Sequence, residues 1–246
     1  MAEPTIWVVA KPSAQHEIAA LTSEISACRA CPRLVEWRES VAAEKRAAFR
    51  DQHYWGKPAP GFGDVAARVL IVGLAPAAHG ANRTGRIFTG DRSGDFLFAS
   101  LHRCGYASQA ESVSIDDGLL LRDAYVVAAV RCAPPANKPT PLERDTCQPF
   151  LVRELALLRD VCVIVVLGSF AYDAMWATLR AAGLELPAKR AKFAHLMEQV
   201  VGPYTILASF HPSQQNTFTG KLTPSMLDAV WERAGQLTNA INSAVP

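Results

Sequence analysis

No apolar run in this 246-residue sequence is long enough to cross a membrane. The longest, such as "VCVIVVLG" at 161–168, fall far short of the roughly 20 residues a spanning helix requires. The opening "MAEPTIWVVAKPS" lacks the basic start and long apolar stretch of a secretory signal, so a cytoplasmic location and no membrane partner are expected. Internal repeats and low-complexity segments are missing as well. Net charge is scarce: 25 Lys and Arg against 23 Asp and Glu leave +2, so the chain is not globally basic. Six cysteines in a chain with no secretory signal argue against a disulfide framework and for ligands or buried thiols. Two phosphate-loop signatures are also lacking. The glycine-containing stretch "GLAPAAHGANRTGRIFTGD" (73–91) follows a short apolar run, yet contains neither G-x-G-x-x-G nor G-x-x-x-x-G-K-[ST]. Its first eight residues hold no carboxylate and no obvious nucleophile.

What is present reads as an α/β protein. Half the residues are hydrophobic and a fifth are charged, ordinary globular usage for a chain able to bury a sizeable core. Helices are expected at 13–28 and 33–50, followed by a Pro/Gly/aromatic loop at 51–66. Strands at 68–73, 124–131, 162–167 and 204–209 then alternate with helices at 93–104, 141–159, 169–182 and 224–240. Thr140, Pro141 and Glu143 form a capping-box pattern, and Thr223–Pro224 repeats the cap-then-proline device. Alternating elements with continuously apolar strands imply a three-layer αβα fold around a central four-stranded parallel sheet. We expect one domain over 1–246, with a loose tail at 1–12 and an N-terminal helical and loop appendage at 13–66. Loops 73–92, 131–140, 168–170 and 210–222 then meet beyond the carboxyl ends of the strands, where such sheets bind ligands.

The charge is distributed to match. Segments 82–92, 131–144 and 211–221 together hold +5 against the whole-chain +2, so positive charge converges on that rim, a footprint for a polyanion. The cysteines divide in two. Cys28 and Cys31 form C-x2-C with Pro32 next, and Cys132 and Cys147 have fourteen residues between them, across a Pro-rich loop and a helix start. Four thiolates suit zinc or an iron–sulfur cluster; the irregular spacing and adjacent proline lean towards the cluster, and unligated thiols are the remaining reading. Cys104 and Cys162 read as small buried hydrophobes. His211, directly after the last apolar run and stiffened by Pro212, faces the Gly-rich loop across the strand ends.

Five separated blocks share a further property. "CRACPRLVEWRE" (28–39), "YWGKPAPGFGD" (54–64), the 73–91 stretch, "VRCAPPANKPTP" (130–141) and "HPSQQNTFTGKLT" (211–223) together resemble the uracil-DNA glycosylase superfamily, and within it the type-5 enzymes. The resemblance covers about residues 25–240. It implies hydrolysis of an N-glycosidic bond after a damaged base leaves the DNA stack, with DNA containing uracil or other deaminated bases as partner. It also implies a structural [4Fe–4S] cluster on Cys28, Cys31, Cys132 and Cys147, and a monomer with no obligate protein partner. The base pocket would be built from Gly73, Leu74, Ala75, Phe88, Asn137 and Ser213, with His211 aimed at a base carbonyl. Arg83, Arg86, Lys138, Gln215, Asn216 and Lys221 are the expected DNA contacts, and Gln214 to Phe218 hold the wedge candidates.

Two departures from the wider superfamily matter. Other branches carry a carboxylate or Asn in the first motif to activate water, whereas this chain has Leu74, Ala75 and Ala77 there. Asp91, the acid ending the same loop, is the expected substitute, with helix capping as its competing role and Ser93 as a rival cap. The type-4 branch has an Asn four residues before the third cluster cysteine; this chain has Ala128, and Asn137 is the expected base reader. Hypoxanthine and modified pyrimidines are therefore expected beside uracil. The alternatives are a non-catalytic Fe–S module that binds nucleic acid, and a nucleotide-binding α/β enzyme with zinc.

Overall fold

The computed structural model describes residues 13–243; the expected tail at 1–12 lies outside them. In chain order the strands are β1 (Phe62–Gly63), β2 (Val69–Gly73), β3 (Ala124–Ala128), β4 (Val163–Leu167), β5 (Glu198–Val201) and β6 (Tyr204–Ser209). The helices are α1 (Ala14–Ala27), α2 (Pro32–Glu44), α3 (Ala81–Thr84), α4 (Arg92–Arg103), α5 (Pro141–Leu157), α6 (Ser169–Ala181), α7 (Gln214–Phe218) and α8 (Pro224–Ser243). They build one sheet in the order β1-β3-β2-β4-β6-β5. The four inner strands are parallel, as the alternation predicts.

Those inner strands are apolar throughout because both faces are covered. Val69 and Ile71 of β2 pack with Leu97, Phe98 and Trp231 from α4 and α8. Leu70 and Val72, pointing the other way, pack with Leu155, Tyr172 and Met175 from α5 and α6. Each fully buried aliphatic side chain of this kind contributes about 1.5–3 kcal/mol. The register brings the strand ends level: Gly73 pairs with Ala128, and Leu167 with Ser209. No described helix is long and apolar enough to cross a membrane.

The sheet is wider than the four strands expected. β1 and β5 add antiparallel edges. β1 is two residues long inside a Pro/Gly loop, too short to show a period. β5 joins β6 through a two-residue hairpin whose Gly202 has φ +55, and its residues alternate in burial as a half-covered edge does. The helix expected over 33–50 stops at Glu44, where Lys45 takes φ +55, and a 3-10 turn follows at Ala47–Phe49. The strand expected over 124–131 ends at Ala128, although the Ala129 and Val130 amides still donate to Gly73 and Leu74 carbonyls.

The capping box is realised. Thr140 Oγ1 accepts from the Glu143 amide at 3.2 Å, and Glu143 Oε2 accepts from the Thr140 amide at 2.7 Å. Glu143 also takes two 2.7 Å hydrogen bonds from Arg33, fastening α2 to α5. Deeper in, Arg131 and Glu154 form an ion pair with side chains only 1% and 2% exposed. Removing one partner strands a charge without water. Glu154→Ala is therefore expected to lower unfolding stability by about 3–5 kcal/mol in denaturant titration, while the double replacement by apolar residues recovers much of the loss.

Candidate active site

Loop 73–91 is held by close backbone approaches. Phe88 has φ +55, a conformation that costs an aromatic residue free energy and persists only where surroundings enforce it. Two glycines make room for it. A Cβ on Gly73 would come within 2.7 and 2.8 Å of the Phe88 ring, and one on Gly94 would overlap the Phe88 carbonyl oxygen. So placed, the ring lies 5.9 Å from the His211 ring, centroid to centroid. Between and beside them is a cavity of about 600 Å³, lined by Leu74, Ala75, Phe88, Asn137, His211 and Ser213 among others. Gly73 is not on its wall; it acts from behind, by admitting Phe88.

Asp91 reaches the same cavity, and the competing role of helix cap is realised there. It is the N-cap of α4, with Oδ1 accepting from the Gly94 amide at 3.0 Å; Ser93 is not the cap. Its other oxygen abuts Gly80, where any Cβ would overlap Oδ2. Burial raises the Asp91 pKa, and the Gly94 and Ser93 amides and Arg83 pull it back only in part. A carboxylate so placed can accept a proton from water or offset positive charge at a sugar.

His211 leaves β6 beside Gly168, whose φ is +93 and whose Cβ would sit 3.2 Å from that of His211. The Asn216 amide donates to the His211 carbonyl oxygen at 2.8 Å and fixes the turn. Burial lowers the His211 pKa to about 4, so the ring is neutral at physiological pH.

The remaining predicted residues separate. Asn137, at φ +55, is exposed and lines the cavity, and Lys138 beside it is exposed. Ser213 caps α7, accepting from Asn216 at 3.4 Å. Gln215 is exposed at the mouth, while Lys221 lies 4.9 Å over the Phe210 ring. Asn216 uses its amide internally on His211, as above. Arg83 and Arg86, expected from sequence as DNA contacts, both have internal partners and little exposure. Arg83 donates to the His79 and Gly90 carbonyls and to Gln52, and stacks on Phe49 at 4.1 Å. Arg86, 5% exposed, pairs with Asp117 at 2.6 Å and bonds Thr89 and Ser112. Sequence reasoning gave no pocket role to Ile87 and Arg92 on the cavity wall, and named Ala77 only for the carboxylate it lacks and Gln214 only as a wedge candidate. Only Arg92 carried a signal, as the third arginine of the basic loop.

Cys28, Cys31, Cys132 and Cys147 come together. Cys28 ends α1, Cys31 precedes α2, Cys132 follows β3 and Cys147 lies within α5, and all four line one small cavity. Among the described residues, no three His, Cys, Asp or Glu side chains are grouped to hold a single metal ion. Arg38, 2% exposed, donates to Cys132 Sγ at 2.9 Å and to the Cys28 carbonyl at 3.1 Å. Cys104 and Cys162 are partly buried against the core beside α4 and α8, away from this cavity.

The histidine gives a direct test. Its folded pKa lies below the 6.5 of an unfolded chain, so between those values the unfolded state binds more protons. Stability tied to His211 is complete above about 6.5 and falls as pH drops towards 4. In an NMR titration the His211 ring should stay neutral to near pH 4, and His211→Gln should flatten the stability loss across that window.

The comparisons with known proteins agree with this arrangement. The model of the uracil DNA glycosylase superfamily matches residues 60–235. A type-5 uracil-DNA glycosylase of Mycobacterium leprae is 52% identical over 219 residues, covering 88% of this chain and 94% of its own. One from Thermus thermophilus is 50% identical over 219 residues, covering 89% and 97%. A type-4 uracil-DNA glycosylase of Thermotoga maritima is 28% identical over 159 residues, covering 64% and 65%. With its strand ends, cavity and late-loop acid arranged as described, this chain belongs to the uracil-DNA glycosylase superfamily.

Proposed function

We propose that this protein is a monofunctional DNA glycosylase that takes uracil out of the DNA stack, hydrolyses its N-glycosidic bond and so initiates base excision repair. The observation that carries the reading is the convergence of an aromatic ring, a neutral imidazole and a half-buried carboxylate on one cavity. A flipped base stacks on Phe88. Bond breaking leaves negative charge on the base and positive charge on the sugar. Neutral His211 donates to the base oxygen as that charge grows, acting as an oxyanion-hole group. The Asp91 carboxylate orients water and offsets the sugar's charge. None of the residues lining the cavity is a lysine, in keeping with hydrolysis and no strand cleavage.

Breadth follows from size and flexibility. Ala75 and Ala77 leave room at the wall, and Asn137 reads from an exposed loop, so hypoxanthine and modified pyrimidines are substrates beside uracil. Phe218, 68% exposed at the end of α7, is a candidate wedge for the vacated stack. The enzyme acts as a cytoplasmic monomer without an obligate protein partner. Base release from a uracil-containing duplex tests the whole reading. Asp91→Ala and His211→Ala are each expected to lower the rate by about 10²–10³-fold. Gly80→Ala should lower it by about 10²-fold by displacing the Asp91 carboxylate, with DNA binding kept. Full activity in Asp91→Ala would overturn its role, and wild-type binding without release would assign the protein as a binding module. Undetectable hypoxanthine release with normal uracil release would overturn the breadth.

We further infer a structural [4Fe–4S] cluster on Cys28, Cys31, Cys132 and Cys147. Support comes from the buried Arg38, a cation that needs nearby negative charge. Its Nε has no partner, and the carboxylate of Glu39, at 3.9 Å, is solvent-exposed and engaged by Arg29. Thiolates on a cluster would supply that charge. When bound, the cluster contributes cross-linking and no turnover redox chemistry; its ligands tie the α1–α2 turn to the loop after β3 and to α5. Anaerobically purified protein should be brown and contain iron and sulfide in equal numbers, with the colour lost in Cys132→Ala. Zinc in place of iron would overturn the assignment.

A further inference from the structure

Asp91 forms part of the wall of a second cavity, of about 650 Å³, whose lining does not include Phe88. The two cavities share Ala77, Asp91, Arg92, Asn137 and Gln214. Their chemistry differs. The first has Phe88 and His211; the second has Arg46, His79 and Arg83, with Asp95 as its other carboxylate, and Arg92 stands where the two meet. Arg83 is occupied internally. Arg46 and Arg92 are exposed, and neither takes part in an ion pair among the described residues.

Their positions are built in. The Arg83 bond to Gln52 at 2.6 Å and its stacking on Phe49 fasten the segment after α2 to the site loop. The Arg46 amide donates to the Tyr54 hydroxyl at 3.4 Å, and that hydroxyl lies 3.1 Å from His79 Nδ1. Arg92 opens α4 and rests 5.4 Å over the Phe218 ring. The positive field inside is felt by His79, whose pKa is lowered by burial and then by Arg46 and Arg83.

A nucleotide has an uncharged base at one end and an anionic phosphate at the other, with the glycosidic bond between. Two cavities of matching character that meet at Asp91 reproduce that division. We propose that the second cavity is a phosphate cradle for the DNA strand next to the flipped nucleotide, with Arg46 and Arg92 as its charged contacts. The inference rests on the glycosylase reading and adds a site to it: these two arginines take the role that the sequence suggested for Arg83 and Arg86.

Anisotropy titrations of a duplex carrying a hydrolysis-resistant 2′-fluoro-deoxyuridine, over a range of salt, test it. Arg46→Gln and Arg92→Gln should each weaken binding several-fold, independently of flanking sequence, and lower the log Kd against log salt slope by about 1. Arg46→Lys should keep the slope, and unfolding midpoints should confirm that the variants fold. Replacing the phosphates beside the uridine one at a time with neutral methylphosphonates should weaken wild-type binding at one position or more, and that sensitivity should vanish in Arg46→Gln or Arg92→Gln. An unchanged slope, with methylphosphonate sensitivity retained in both variants, overturns the cradle while wild-type uracil release leaves the glycosylase reading intact. Absence of uracil release from the wild type overturns the reading beneath it.

Discussion

The structure of the site depends on one steric constraint: Phe88 must adopt a left-handed backbone conformation in a space that no side chain at position 73 or 94 could share. β2 supplies Gly73 at its carboxyl end and α4 supplies Gly94 in its first turn, so the ring is clasped between a strand terminus and a helix terminus. Everything else at the site is referenced to those two ends. His211 arrives from β6, level with β2 through the parallel ladder via β4, and meets the ring from across the sheet. Asp91 is carried by the same helix terminus that Gly94 opens to Phe88.

That shared terminus explains how a half-buried acid is kept in position. A carboxylate in an apolar setting is unstable in its charged form, and burial does push Asp91 towards protonation. The amides of the first turn of α4 partly reverse this, because they are hydrogen-bond donors with no helical acceptor. The cap serves both sides: the helix needs an acceptor, and the acid needs donors. The opposite choice governs His211, which has no charged neighbour to hold a proton and stays neutral.

Much of this was legible in the sequence because it depends on local rules. The inner strands are apolar on both faces, so their runs stand out; the Thr140 and Glu143 cap follows from two residues three apart. The cysteines could be paired by their neighbours and spacing. Edge strands were not legible. β1 is too short to show a period, and β5 needs β6 beside it before its alternation means anything. The arginines misled for a related reason. Arg83, Arg86 and Arg92 look alike within one basic loop, and only tertiary packing against Phe49, Gln52 and Asp117 sends two of them inward and leaves the third at the surface.

The glycine contacts carry a consequence for how this loop can change over evolutionary time. Gly73, Gly80 and Gly94 each face a different partner, respectively the Phe88 ring, the Asp91 carboxylate and the Phe88 carbonyl. No one of them can gain even a methyl group unless its partner moves, and moving Phe88 disturbs two glycines at once. Single steps away from the present arrangement are closed at these positions, while the neighbouring alanines 77 and 78 line open cavity; Ala75 lines the first cavity and also packs against Leu34, Val130 and two of the cysteines. The cavity wall can therefore be reshaped at Ala77 and Ala78 without touching the frame that holds the ring and the acid.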